Sequence, residues 1–123
     1  MNIVKDKNFI SIGTDIESID RFKDIDDSFL NKIFTKNEID YCFSKKNAAP
    51  HLAARYAGKE AVVKALNSMD EVNIDYKGIE ILNNEKGVPV VKLNNKNIGD
   101  FQVKISLSHC EDKALAFVTI TGE

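Results

Sequence analysis

Arg55-Tyr56-Ala57-Gly58-Lys59-Glu60-Ala61-Val62-Val63-Lys64-Ala65 is the stretch on which the reading of this chain turns. From His51 to Asn67 only one glycine interrupts a helical pattern, and most side chains are small or apolar. At about 100° per residue, Leu52, Tyr56, Val63 and Leu66 form one stripe with Lys59 in its middle, while Ala53, Ala57, Ala61 and Ala65 form a second, small-residue face. A helix that is apolar nearly all round belongs in a core, where charge is costly unless paired. This one nevertheless carries Arg55, Lys59, Glu60 and Lys64. Glu60 precedes Lys64 by one helical turn, so the two project from the same side. The pattern leaves two readings. One is a core helix with snorkelling cations and a surface ion pair. The other is a helix that handles phosphate and metal, and it needs partners elsewhere in the chain.

Outward from this helix the pattern changes twice. Towards the N-terminus, Phe9 to Ile16 reads as a buried strand ending in Gly13-Thr14-Asp15, and Glu17 to Phe22 as the start of a helix. Phe29, Leu30, Ile33 and Phe34 mark a second helix. Thr35 and Glu38 have capping-box spacing ahead of a third, through Ile39 to Phe43. Asn47 to Pro50 breaks the pattern before the central helix, whose first turn tolerates Pro50. Towards the C-terminus, Ile79 to Leu82, Val88 to Leu93, Phe101 to Ser106 and Ala114 to Ile120 are short and rich in β-branched residues. Asn83 to Gly87 and Asn94 to Gly99 separate them as turns. Helices followed by hairpin-linked strands predict an α+β fold, with helices packed on an antiparallel β-sheet.

The 123 residues fit one domain over 1–123, long enough to bury a core without disulfides or metals. A formal charge of −2 supplies no basic field, so nucleic acid is not an expected partner. Two cysteines without framework spacing or a signal sequence indicate a reduced, cytoplasmic protein. No stretch is long and apolar enough for a bilayer, so no membrane is expected.

Three polar clusters accompany the helix. Asp15 ends the first strand and Glu17 follows it; Glu60 lies mid-helix; Ser106-Leu107-Ser108-His109 closes a late strand. Two carboxylates from different elements, without His/Cys spacing, suit a hard cation such as Mg²⁺ that shares its shell with phosphate oxygens. Arg55, Lys59, Lys64 and His109 would bring positive charge to a polyphosphate. Each signal has a plainer alternative: Asp15 as a helix cap, His109 as a structural histidine, Ser106 and Ser108 as ordinary strand residues.

Ile12-Gly-Thr-Asp-Ile16, Arg55-Tyr-Ala-Gly-Lys-Glu-Ala61 with Lys64-Ala65, Gly87-Val-Pro89 and Ser106-Leu-Ser-His109 resemble, in order and spacing, the bacterial holo-acyl-carrier-protein synthases. These form the small, single-domain branch of the 4′-phosphopantetheinyl transferase superfamily, and the match runs from about residue 10 to the C-terminus. The resemblance implies the 4′-phosphopantetheinyl transferase fold. The activity it implies is transfer of phosphopantetheine from coenzyme A to a serine of acyl carrier protein, with release of adenosine 3′,5′-bisphosphate. Asp15 and Glu60 match the family's Mg²⁺ ligands, and Lys64 the lysine against the pyrophosphate, so that Glu60 and Lys64 carry the catalysis. Ser108 and His109 match the motif that receives the nucleotide end of the coenzyme, with Arg55 and Lys59 as further coenzyme contacts. Arg21 matches an arginine facing the carrier protein. Glu17 is similar in position to a third metal-binding acid of the larger superfamily members, or is a first-turn acid favoured by the helix dipole. Gly58 stands where the family has Ala, which predicts close backbone packing there. The family's small members are trimers, so a homotrimer is expected, with the active site at the subunit interface and His109 of one chain completing the site of another. The same carboxylates would serve a nucleotide phosphohydrolase, and the same fold a binding module without turnover. The residues leave open which group takes the serine proton.

Overall fold

In a computed structural model that describes residues 9–69, 74–94 and 101–122, the chain opens with strand β1 (Ile10–Ser18) and a 3-10 turn (Ile19–Phe22). Helices α1 (Asp27–Ile33), α2 (Lys36–Phe43) and α3 (Ala48–Asn67) follow. A second 3-10 turn (Tyr76–Gly78) leads into β2 (Ile79–Asn83), β3 (Pro89–Leu93), β4 (Phe101–His109) and β5 (Lys113–Gly122). The α+β fold with helices on an antiparallel sheet is borne out. The strands form a three-stranded sheet in the order β1-β5-β4 and a separate β2-β3 hairpin, all antiparallel. The turn expected at Asn94 to Gly99 lies, beyond Asn94, outside the described residues, as does the Met1 to Lys7 segment.

Local chemistry sets the helix ends. Asp26 caps α1 by accepting from the Phe29 amide at 2.8 Å. The capping box of α2 is complete: Thr35 Oγ1 accepts from the Glu38 amide at 3.1 Å, and Glu38 Oε1 accepts from the Thr35 amide at 2.9 Å. Asn47 caps α3. One boundary differs from expectation. The first strand continues through Glu17 to Ser18, because both Glu17 and Ser18 pair with β5, at Ala114 and Lys113. Asp15 is therefore a mid-strand residue and caps nothing, and Glu17 is not a first-turn acid. Strand period two puts both carboxylates on the same face of β1.

That inner face carries α3. The small side chains of Ala57, Ala61 and Ala65 are fully buried against Ala116, Val118 and Ile120. They let α3 descend until a Cβ on Gly13 would stand 1.9 Å from the Ala61 carbonyl oxygen. Gly58 faces the β2 and β4 side less tightly, where a Cβ would lie 2.6 Å from Ile81 Cδ1 and 3.0 Å from Ile105 Cδ1. The outer face of the same sheet has no layer over it among the described residues. Ile10, Ile12, Ile16, Leu115 and Phe117 there are 44–71% exposed. None of the described helices is long and apolar enough to cross a membrane.

Candidate active site

Two clusters of functional side chains flank α3. At about 100° per residue, Glu60 leaves the helix about 140° round from Arg55 and about 180° round from His51. The acids and the histidines consequently lie on opposite sides of α3 within one chain.

On the β1 side, Asp15 and Glu17 from the strand meet Glu60 and Lys64 from the helix. Lys64 Nζ donates to Asp15 Oδ1 at 3.2 Å and to the Thr14 carbonyl at 3.0 Å. The Glu60–Lys64 ion pair expected from their spacing gives way to this cross-element one. Asp15 Oδ2 is buried and has no donor; the Glu17 carboxyl beside it offers only oxygen unless one of the two carries a proton. Burial, then contact with and repulsion from Asp15, push the Glu17 carboxyl up to about 7, even though Arg21 Nη1 sits 2.7 Å from its Oε1. Arg21 in turn lies over the Tyr56 ring, 5.0 Å from its centroid, and remains half exposed. Burial and then the facing Glu60 carboxylate raise the phenols of Tyr56 and Tyr76, the latter to about 12.

This donor set fits Mg²⁺. The orphaned Asp15 oxygen and the crowded Glu17 carboxyl are what a cation would relieve, and all the donors are hard oxygens. No three acid, His or Cys side chains among the described residues close into a cage. Mg²⁺ takes one or two carboxylates and completes its shell with water and phosphate.

Lys59 departs from expectation. It is 0% exposed, and its ammonium is 2.8 Å from Glu38 Oε1 and donates to the carbonyls of Tyr76 and Ile79. Glu38, equally buried, also accepts from the Ile81 amide at 2.8 Å. An ammonium saturated by three oxygens in the core has no donor left for a coenzyme. Lys59 is a structural residue that ties α3 to α2, β2 and the second 3-10 turn.

On the β4 side, Arg55 and His109 meet in a cavity of about 190 Å³ that His51, Tyr41, Asn83 and Gly87 also line. Arg55 is 3% exposed, stacks on Tyr41 with Cζ 4.4 Å from the ring centroid, and donates from Nη2 to Asn83 Oδ1 at 2.6 Å. Its Nε is buried without an acceptor. The His51 and His109 rings are 6.3 Å apart. Ser108 does not join them: neighbouring strand residues point to opposite faces, and Ser108 lies in the row of Leu115 on the outer face.

His51 and Tyr76 carry no functional mark in the sequence, and Glu38 reads there only as a capping-box acid. His51 stands one turn before Arg55, a spacing that could have marked it. Lys59 inside an apolar stripe could have signalled a buried counter-charge. Nothing local to Tyr76 announces its position opposite Glu60.

Residues 11–118 match the 4′-phosphopantetheinyl transferase superfamily. The holo-[acyl-carrier-protein] synthase of Thermodesulfovibrio yellowstonii is 46% identical over 114 residues, covering 89% of this chain and 96% of that protein. The fold is similar to that of holo-(acyl-carrier-protein) synthase from Bacillus anthracis in complex with coenzyme A. That likeness has a TM-score of 0.78 and 27% identity, over 92% of this chain and 96% of the other. The Helicobacter pylori synthase in complex with coenzyme A gives a TM-score of 0.77 and 28% identity, over 89% and 99%.

Proposed function

This chain belongs to the 4′-phosphopantetheinyl transferase superfamily, and on that premise we propose that it transfers the 4′-phosphopantetheine group of coenzyme A to a serine of apo acyl carrier protein, with Mg²⁺ as cofactor. Residues 1–123 are read as the single catalytic domain. The observation that carries the reading is the acidic cluster on the β1 side of α3, where a donorless Asp15 oxygen stands beside Glu17, Glu60 and Lys64.

The serine oxygen gives up its proton, to water or to the Glu60 carboxylate, as it attacks the phosphorus that bears pantetheine. The bond from that phosphorus to the bridging oxygen breaks, and adenosine 3′,5′-bisphosphate leaves with the electron pair. Asp15 and Glu60 would hold the cation, with the Glu17 carboxyl standing beside Asp15. Bound there, Mg²⁺ would neutralise charge on the pyrophosphate oxygens. Lys64, half exposed and anchored to the Thr14 carbonyl, delivers a fixed positive charge towards the departing phosphate, the main electrostatic lever in phosphoryl transfer. Tyr56 and Tyr76 bring their phenols near the Glu60 carboxylate. Arg21, half exposed on the same side, meets the acidic carrier protein. Arg55 and His109 receive the nucleotide end of the coenzyme.

Those last two lie across α3 from the acids, and two observations therefore support a homotrimer with shared sites. A single chain presents the metal side and the nucleotide side on opposite flanks of one helix. Its outer sheet face, with Ile10, Ile12, Ile16, Leu115 and Phe117, is an apolar surface suited to further copies. Two free cysteines, Cys42 buried and Cys110 exposed, fit a reducing cytoplasm.

Incubation with coenzyme A, Mg²⁺ and apo carrier protein, followed by intact-mass measurement, tests the reading. A gain of one phosphopantetheine on the carrier is the expected result. Coenzyme breakdown without transfer would make the protein a phosphohydrolase, and binding without either would make it a non-catalytic module.

A further inference from the structure

Each acid on β1 is shared with a side-chain cation. Lys64 Nζ holds Asp15 Oδ1 at 3.2 Å and Arg21 Nη1 holds Glu17 Oε1 at 2.7 Å, and both cations are about half exposed. The two differ in what else keeps them in place. Lys64 also donates to the Thr14 carbonyl at 3.0 Å. Arg21 has no backbone anchor among the described residues. Beyond Glu17 it meets the side chains of Phe22 and Tyr56, with Cζ 5.5 and 5.0 Å from their ring centroids. Glu17 is the less mobile member of its pair: its side chain is 12% exposed and its backbone is pinned by the ladder to Ala114. Its carboxyl stands against Asp15, whose Oδ2 has no donor.

We propose that Glu17 is a positioning residue that couples carrier docking to the cation site: its carboxylate holds Arg21 when no cation is seated and releases it to the acidic carrier when one is. The assignment rests on the transferase reading, in which Arg21 meets the carrier, and adds to it a role for Glu17 and an order of events. One carboxylate faces two competing cations. A divalent ion carries twice the charge of a guanidinium. Beside Asp15, whose side chain is 13% exposed, it also acts through less solvent than half-exposed Arg21 does. Drawn towards that ion, Glu17 no longer neutralises Arg21. The guanidinium, resting on aromatic faces and tied to no carbonyl, then offers its fork of donors to a carboxylate of the partner. Lys64 keeps its place on Thr14 throughout, so the exchange falls on Arg21 alone.

Arg21 and Arg55 are the two arginines of the chain, so guanidinium resonances report the exchange directly. Excess Mg²⁺ should move the Arg21 side-chain Nε–H signal and leave that of Arg55 in place. In Glu17→Gln the Arg21 signal should hardly respond to Mg²⁺. Apo carrier protein, followed by fluorescence anisotropy at low salt without coenzyme A, should bind wild type severalfold more tightly in Mg²⁺ than in chelator. Glu17→Gln should bind at the tighter level in both conditions, and Arg21→Gln at the weaker level in both. An unmoved Arg21 signal or a wild-type affinity that ignores Mg²⁺ would overturn the proposal without recourse to any variant. A Mg²⁺ increment that survives in Arg21→Gln would overturn it too, since general neutralisation of the acids would then be the cause. In each of these cases the transferase reading stands if phosphopantetheine is still transferred. The full pattern in a chain that transfers nothing would uphold the coupling and overturn the transferase reading.

Discussion

At the scale of single residues, charge placement separates catalytic groups from structural ones. Asp15→Ala or Glu60→Ala should abolish phosphopantetheine transfer and leave the thermal transition in place, since on the proposed reading each removes a carboxylate offered to the cation and no core packing. Near-normal turnover of either variant at saturating Mg²⁺ would exclude that residue as a ligand. Lys59→Met should behave in the opposite way. Its ammonium balances the buried Glu38, and leaving a buried charge unpaired costs about 3–5 kcal/mol, visible as a lower urea midpoint. A raised KM for coenzyme A at unchanged stability would instead return Lys59 to the binding site. Glu17 connects the site to pH. Its folded pKa of about 7 stands above the ordinary 4.5, so between these values the folded state holds a proton that the unfolded chain has released. Its contribution to stability is complete below about 4.5 and is lost as pH rises through about 7. Melting in chelator from pH 5 to 8 should show this as a decline that Glu17→Gln lacks.

At the scale of elements, the contact of β1 with α3 is a backbone contact, and two glycines test it differently. In Gly13→Ala the new methyl would stand 1.9 Å from the Ala61 carbonyl oxygen. Neither the strand nor the helix backbone can turn aside, so a loss of about 3 kcal/mol, the upper end for overpacking, is expected. In Gly58→Ala the methyl meets the ends of Ile81 and Ile105, which can shift rotamer. The gain in helix propensity is about 1 kcal/mol and offsets much of the crowding, leaving a net change near zero. Chemical denaturation of the pair decides this, and equal losses would mean that the helix does not ride on the β1 backbone as closely as the structure has it.

At the scale of the whole molecule, one chain presents its acid cluster and its Arg55–His109 pocket across α3, together with an apolar sheet face that no other described element covers. A mixture of His109→Ala and Glu60→Ala chains should recover part of the activity that each lacks, because some interfaces pair the two intact sides. Phe117→Lys, on the outer sheet face, should shift sedimentation towards monomer and reduce transfer without unfolding the chain. An active monomer, or no recovery after verified subunit exchange, would place the complete site within one chain.

Local patterns carried much of this outcome. The apolar periodicity and alanine face of the central helix, the Thr35–Glu38 capping box and the β-branched runs of the second half were legible in sequence because each depends on neighbours a few residues away. So were Asp15, Glu60, Lys64 and His109 as candidates, since they recur in recognisable motifs. Three features depended on the tertiary structure. Lys59 sits in the same motif as Glu60, yet helical rotation turns it into the core, where Glu38 from another helix claims it. Glu17 belongs to the strand because Ala114 of β5, almost a chain length away, supplies its ladder partner. His51, Arg55 and His109 share a cavity only because β4 returns alongside the start of α3. A sequence records which side chains can be charged; which charges meet, and which of them water can reach, is set by how the elements pack.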